Sequence, residues 1–251
     1  MDEDCCEVDT VSVNPPWVWP KNTGGNTEAD VFVSLLRPSP PGGCTVDLSI
    51  EPVSGSGGHS HDGRRPTGTL SDKTWTFYST DMEKSITYAS GEVSGTEKIR
   101  VVVEESGDSE EAQVEIKVPG LAPFPQSGEH HVVVRRGADT HPDGAYGMPI
   151  TIEILKEVAQ EYFELTKRKL SINDLSLPEG GLFDIGDIKW ATPHIEHRAG
   201  NDADINRTDG GGVFKNCEGD KALREAVRYV GSGGIPWLKC ESGGRKHINF
   251  D

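Results

Sequence analysis

Two imidazoles and several carboxylates crowd the segment Pro193-His194-Ile195-Glu196-His197-Arg198-Ala199-Gly200-Asn201-Asp202-Ala203-Asp204-Ile205. Imidazole nitrogen and carboxylate oxygen are ordinary zinc ligands. Gly200-Asn201 interrupts any helix, so the segment reads as a turn leading into a short strand. A loop followed by a strand holds a ligand pair rigidly and leaves one side of an ion open. Catalytic zinc needs that arrangement, three protein ligands and a water. His197 and Asp204 form the pair. His247, near the C-terminus, completes three if a C-terminal strand lies beside residues 203–205.

Other groups with chemical potential read as structural. His59-Ser60-His61-Asp62 follows a Gly/Ser-rich stretch and is expected to be a solvated loop. His141 sits in a compact turn built on Asp143-Gly144. His130 and His131 are expected on a strand or at the surface, and 209–212 is a Gly-rich loop. Glu196 and Asp202 read as solvated or turn-capping residues. The five cysteines, Cys5, Cys6, Cys44, Cys217 and Cys240, lack the Cys-x-x-Cys spacing of a structural zinc site. Their spread suggests one disulfide per half, Cys44 with Cys5 or Cys6 and Cys217 with Cys240, in an oxidising compartment.

The elements that must position these groups change period along the chain. Between about 30 and 118, apolar residues alternate: Val31/Val33/Leu35, Val46/Leu48/Ile50, Trp75/Phe77, Ile99/Val101/Val103 and Val114/Ile116/Val118. Period-two runs between Gly, Pro, Ser and Asp clusters predict antiparallel strands of an immunoglobulin-like β-sandwich over residues 1–118. The Pro-rich opening with Trp17 and Trp19 is expected to pack along it. Residues 119–129, rich in Pro and Gly, read as a linker.

Residues 130–251 read as a small α+β domain. Pro149 opens a helix with Ile150, Ile154, Leu155, Val158, Tyr162 and Phe163 at helical spacing. Lys167, Arg168 and Lys169 suit its C-terminal dipole. A second helix is expected from about Asp220 to Val230, burying Leu223, Ala226, Val227 and Val230. Short strands are expected at 182–188, 203–205 and 247–250.

Lys and Arg number 25 against 41 Asp and Glu, a formal charge of −16. Such a chain repels nucleic-acid phosphates and anionic lipid. No apolar run approaches the roughly 20 residues needed to cross a bilayer, so no membrane insertion is expected. The opening Met1-Asp2-Glu3-Asp4 is acidic where a secretory signal is basic. An exported protein would then be a mature or trimmed form.

The motifs resemble a known family. Ser176-Leu177-Pro178-Glu179-Gly180-Gly181, followed by Pro193-His194-x-x-His197-x-x-Gly200-x-Asp202-x-Asp204-Ile205, is similar to the penicillin-insensitive murein endopeptidases. These sit within the wider group of lysostaphin-type endopeptidases, D-Ala-D-Ala peptidases and Hedgehog N-terminal domains. The resemblance covers roughly residues 141–251. It implies a zinc peptidase acting on peptidoglycan peptides, with His197, Asp204 and His247 as ligands. His194 matches a family histidine that can serve a second metal or orient the site. The family's terminal pattern is His-x-His, its first histidine acting on water. Here Arg245 stands at that place, able to stabilise an oxyanion but not to accept a proton. The base must then come from elsewhere. The resemblance to D-Ala-D-Ala peptidases, which use a glutamate shortly before the last ligand, makes Glu241 one candidate, and His194 and Asp251 are others.

The expectation is a secreted, periplasmic or cell-surface zinc hydrolase. Its ion would lower the pKa of water toward ~7, and its sandwich would be a positioning module. The alternative is a non-catalytic surface recognition or adhesion protein with a structural or lapsed metal site.

Overall fold

The computed structural model describes residues 6–59, 66–134, 144–182, 196–206, 220–231, 236–240 and 246–250. The chain divides into two compact units, Met1–Val118 and Pro119–Asp251.

The first unit is a β-sandwich. One sheet contains β1 (Val8–Asn14), β3 (Glu28–Leu35), β7 (Glu83–Ala89) and β5 (Thr69–Leu70), in that order. The other runs β2 (Trp17–Val18), β9 (Ser109–Ile116), β8 (Gly95–Val103), β4 (Cys44–Pro52) and β6 (Thr74–Phe77). Pairing is antiparallel except for β2 with β9. Alternation does the sorting: Val31, Val33, Val46, Ile99, Val101 and Val114 all point into one shared core and are fully buried.

Besides the two-residue strands β2 and β5, the longer strands β1 and β7 escape the sequence reading. The register shift between Val8 and Thr10 breaks the alternation of β1, and β7 carries only Ile86 and Tyr88 inward. The inner face of β8 also holds a polar residue, Glu97, 1% exposed. It is satisfied by the Gly68 N–H at 3.0–3.1 Å and the Tyr88 hydroxyl at 2.8 Å. His59 corrects the expectation of a solvated loop, since it is buried at 2% exposure. His61 and Asp62 lie outside the described residues. Trp17 is partly exposed on β2, while Val18 beside it is fully buried.

The second unit is α+β. Its main sheet runs β11 (His131–Val133), β13 (Leu170–Ile172), β14 (Asp202–Ile205), β16 (Lys246–Asn249) and β15 (Trp237–Cys240). β10 (Ala122–Pro123) pairs with β12 (Tyr146–Gly147). The helices are α1 (Pro149–Thr166) and α2 (Lys221–Val230). They pack with the sheet around Leu155, Val158, Leu170, Ile172, Ala203, Leu223, Ala226 and Ile248.

Residues 119–129 are not a spacer. Phe124 is buried at 2% in the core of the second unit, and its N–H donates to Ala145 O at 2.7 Å. The His131 ring lies 4.6 Å from that of Phe124 and its Nε2 is 3.1 Å from Pro125 O. Proline and glycine prevented long regular elements here without preventing burial.

α1 begins at Pro149, where the missing N–H costs nothing. Its buried stripe is Thr151, Ile152, Leu155, Val158, Ala159 and Tyr162. Ile150, expected inside, is 64% exposed. Lys167 ends the helix in the left-handed region at φ 58°, its N–H donating to Phe163 O. α2 buries Leu223, Ala226 and Val227, and is capped by Asp220, whose side chain accepts from Leu223 N at 3.0 Å. The expected strand at 182–188 lies outside the described residues beyond Leu182.

Candidate metal centre

The site is built on the two-stranded ladder of β14 and β16. Asp202 faces Asn249, Ala203 faces Ile248, Asp204 faces His247 and Ile205 faces Lys246. Residues two apart on a strand share a face, as do directly paired residues. Asp202, Asp204, His247 and Asn249 therefore occupy one face. Ala203, Ile205 and Ile248 occupy the other, in the hydrophobic core. The sequence Asp-Ala-Asp-Ile thus separates a polar site from the core that holds it rigid.

His197 comes from one turn of 3-10 helix, Glu196–Ala199, immediately before β14. Gly200 makes the joint. Its φ of +74° suits glycine, and a Cβ there would meet Leu121 Cδ2 at 2.3 Å and Met148 N at 3.1 Å. The Gly200 carbonyl accepts from Met148 N at 3.0 Å, tying the joint to the entrance of α1. Gly180 and Gly181, both at positive φ (71° and 75°), fold the Ser176–Gly181 loop back so that Gly181 N donates to Arg198 O at 2.8 Å. The glycine pair of the lead-in motif thus buttresses the turn that carries His197.

His197, Asp204 and His247 each offer a ligand atom within 4.8 Å of the other two. Both histidines are buried, at 2% and 1% exposure. Their ring centroids are 5.2 Å apart at 45°. His197 Nε2 lies 3.5 Å from Asp204 Oδ2. Two ligands about 2.1 Å from a tetrahedral zinc stand roughly 3.4 Å apart, so this pair has the spacing such an ion requires. The donor set, two imidazoles and one carboxylate, fits zinc.

Burial by itself lowers the His197 pKa. The Asp204 carboxylate, by hydrogen bond and charge, and then the charges of Asp202 and Asp174, outweigh it and raise the pKa to about 9.

Asp202 and Asp174 were not recognised from sequence as parts of this site. Asp202 is 4% exposed, and its Oδ1 is 3.1 Å from His247 Nε2. Asp174 is 7% exposed and its carbonyl accepts from Asp204 N at 2.8 Å. The available signal was the alternation of Asp202 and Asp204, which places both on one strand face. Buried Lys246 also carries an ion pair, with Asp220, the cap of α2. Glu241, His194, Arg245, Asp251, His141 and Cys217 lie outside the described residues. A second group of metal-capable side chains, Cys6, Cys44 and Glu105, lies in the sandwich. Both Glu105 oxygens accept from Thr45 N, at 3.0 and 3.1 Å.

Two donors on a β-ladder, Asp204 and His247, and His197 on the turn before it define a candidate metal centre. The family model of penicillin-insensitive murein endopeptidases matches residues 117–229, supporting a murein endopeptidase-like domain. The match takes in His197 and Asp204 and ends before the strand carrying His247. No curated protein sequence matches the chain.

Among solved structures, the D00-D0 domain of intimin is 10% identical with a TM-score of 0.33. That likeness covers 45% of this chain and 48% of that one. The Yersinia pseudotuberculosis adhesin InvE is 14% identical at TM-score 0.36, covering 49% and 34%. A CARDB domain from Pyrococcus furiosus, in complex with di-metal ions, is 18% identical at TM-score 0.28, covering 46% and 97%. This chain therefore spans about half of the intimin chain and a third of the InvE chain. Among the described residues, no helix is long and apolar enough to cross a membrane.

Proposed function

We propose that the second unit is a zinc-dependent hydrolase of peptide bonds, acting on the peptides of peptidoglycan. The observation that carries this reading is the convergence of His197, Asp204 and His247 within 4.8 Å, two of them inside the segment matched by the murein endopeptidase family. A divalent ion held there would polarise a peptide carbonyl and acidify water. The chain's own contribution is preorganisation. β14 and β16 fix two donors by backbone pairing, and the turn at 196–199 brings the third. Core packing behind Ala203, Ile205 and Ile248 resists their displacement. Asp202, Asp204 and Asp174 supply negative charge that offsets that of a cation. Glu241 and His194 remain the proposed acid–base groups, with Arg245 placed by sequence to stabilise an oxyanion.

The reading places the protein in the periplasm or at the cell wall, with the sandwich as a positioning or binding module. An oxidising compartment would allow Cys6 and Cys44 to join. Both are buried thiols in the structure, with their sulfurs within 4.8 Å. Cys6 precedes β1 and Cys44 opens β4, so the bond would staple the two sheets together.

The test is metal content and turnover of the full chain. About one zinc per chain, lost in Asp204→Ala, with cleavage of peptidoglycan fragments by the wild type alone, is the expected result. Stoichiometric zinc with no cleavage of any fragment would favour a structural site in a recognition protein. That second reading draws on Arg245 standing where the family places a histidine.

A further inference from the structure

We propose that Cys6, Cys44 and Glu105 form a second metal site, within the β-sandwich, which takes a thiophilic divalent cation such as zinc when the two thiols are reduced. The site goes beyond the hydrolase reading and is independent of it, since all three residues belong to the first unit.

The donors come from three segments far apart in sequence. Cys6 precedes β1, Cys44 opens β4, and Glu105 lies in the turn between β8 and β9. Both sulfurs and a Glu105 carboxylate oxygen lie within 4.8 Å of one another. Hydrogen bonds that do not use these donor atoms tie the segments together. Glu104 N donates to Thr45 O at 2.9 Å, Ser106 Oγ to Cys6 O at 2.7 Å, and Val8 N to Asp108 Oδ2 at 2.8 Å. Glu105 is itself oriented by Thr45 N, at 3.0 and 3.1 Å from its two oxygens. A carboxylate has about four lone-pair sites, so this contact aims the group and leaves a lone pair for an ion. Donors fixed in advance by such supports need little ordering when the ion arrives.

The donor set selects the ion. Thiolate is a soft ligand and suits zinc, whereas magnesium and calcium take oxygen. Two sulfurs about 2.3 Å from a tetrahedral zinc stand roughly 3.8 Å apart, inside the separation that bounds this group. Cys6 and Cys44 are buried at 5% and 0% exposure while Glu105 is exposed, so the carboxylate marks the side from which an ion enters. In the metal-free chain, burial first, then the Cys6 thiol and the Glu105 charge, hold the Cys44 thiol well above its ordinary pKa. A divalent cation reverses that logic, because a coordinating thiol is deprotonated outright. Binding breaks both S–H bonds, forms two sulfur–metal bonds and one carboxylate–metal bond, and releases the protons to solvent. No oxidant or reductant takes part. The ion and a Cys6–Cys44 disulfide exclude each other, since the disulfide consumes both thiolates. The same three segments can therefore be fastened by an ion when reduced or by a covalent bond when oxidised.

The experiment titrates cadmium into the fully reduced full chain, with a phosphine as reductant so that no added thiol competes for the metal. Cadmium–thiolate bonds absorb in the ultraviolet by charge transfer, which imidazole and carboxylate ligands do not. The His197/Asp204/His247 centre therefore stays silent, and an Asp204→Ala background removes its competition for the ion. Cys6→Ala, Cys44→Ala, Glu105→Gln, Cys5→Ala and Cys240→Ala are compared after each is shown to be folded by circular dichroism and melting. The band is expected to saturate at about one cadmium per chain, with release of about two protons, and to be abolished when zinc displaces cadmium. Cys6→Ala and Cys44→Ala should each lose it. Cys5→Ala and Cys240→Ala should keep it, and Glu105→Gln should keep it while binding more weakly.

Absence of the band from the reduced parent chain would overturn the proposal. So would a band that survives in the folded Cys6→Ala or Cys44→Ala protein, because other thiols would then be the ligands. An affinity unchanged in Glu105→Gln would overturn the three-donor site. Should the fully buried Cys44 prove necessary for folding, Cys6→Ala, which alters the chain ahead of β1, decides the matter by the same readout.

Discussion

Removing Lys246 should damage the second unit more than removing any other single lysine in it. Lys246 is 1% exposed and its ammonium is paired with the Asp220 carboxylate, 4% exposed. Asp220 also caps α2 through Leu223 N, so one carboxylate couples the helix start to the strand bearing His247. Lys246→Met keeps most of the volume but strands a buried carboxylate. Breaking a buried pair on one side costs about 3–5 kcal/mol. In a unit of this size that corresponds to roughly 10–20 °C in melting temperature. Asp220→Asn should cost a similar amount while sparing the cap, since Asn caps as well as Asp. Asp220→Ala should add about 1 kcal/mol for the lost cap. The double variant Asp220→Asn/Lys246→Met strands no charge, so it should be more stable than either single. Thermal and urea unfolding of the four proteins forms a double-mutant cycle. Additive effects, or a loss below about 1 kcal/mol for Lys246→Met, would refute the argument that this pair is desolvated and coupled.

Three further outcomes are expected. Gly200→Ala forces a left-handed alanine, about 1–2 kcal/mol by itself, against the Leu121 side chain and Met148 N. It should lower both the melting temperature and zinc affinity, and wild-type affinity in the folded variant would show that the joint does not position His197. The pKa of His131 is lowered by burial first, opposed by the Pro125 carbonyl and reinforced by Lys156, Lys169 and His130. The unfolded chain therefore takes up this proton first, so the associated stability is complete above about pH 6.5 and declines as pH falls toward the folded value. Melting between pH 7.5 and 5.5 should fall more steeply for the wild type than for His131→Gln, and equal slopes would remove His131 as the cause. Protein exposed to a small-molecule disulfide during folding should lose two hydrogens and resist alkylation at Cys6 and Cys44 when unfolded without reductant. Closing the intervening loop should stabilise the sandwich by roughly 4 kcal/mol, and alkylation of both thiols would argue against the staple.

The strongest local signals were visible in the chain itself. Period-two runs around Val31, Val46, Ile99 and Val114 announced strands because alternating burial leaves its imprint on every second residue. Pro149 and Asp220 marked where α1 and α2 begin, since a missing N–H and a capping carboxylate are local chemistry. His197 and Asp204 stood out as metal-capable types flanking a glycine joint, and the pairing of the C-terminal strand with β14 was legible as a condition on His247.

What lay beyond the sequence depended on register and packing between distant segments. β1 and β7 were hidden by a bulge and by sparse apolar content. Proline and glycine suggested a free linker at 119–129, yet Phe124 found a core to fill. Asp202 read as an ordinary turn residue because its partners, His247 and Asn249, lie more than forty positions away. Buried charge is the least legible feature of all. Lys246 and Asp220 resemble surface residues in composition, and only the fold can supply the partner that makes their burial tolerable. Residue type and spacing determined which side chains could do chemistry here. The tertiary structure decided which of them meet, because cross-strand register is a property of two segments and is written in neither alone.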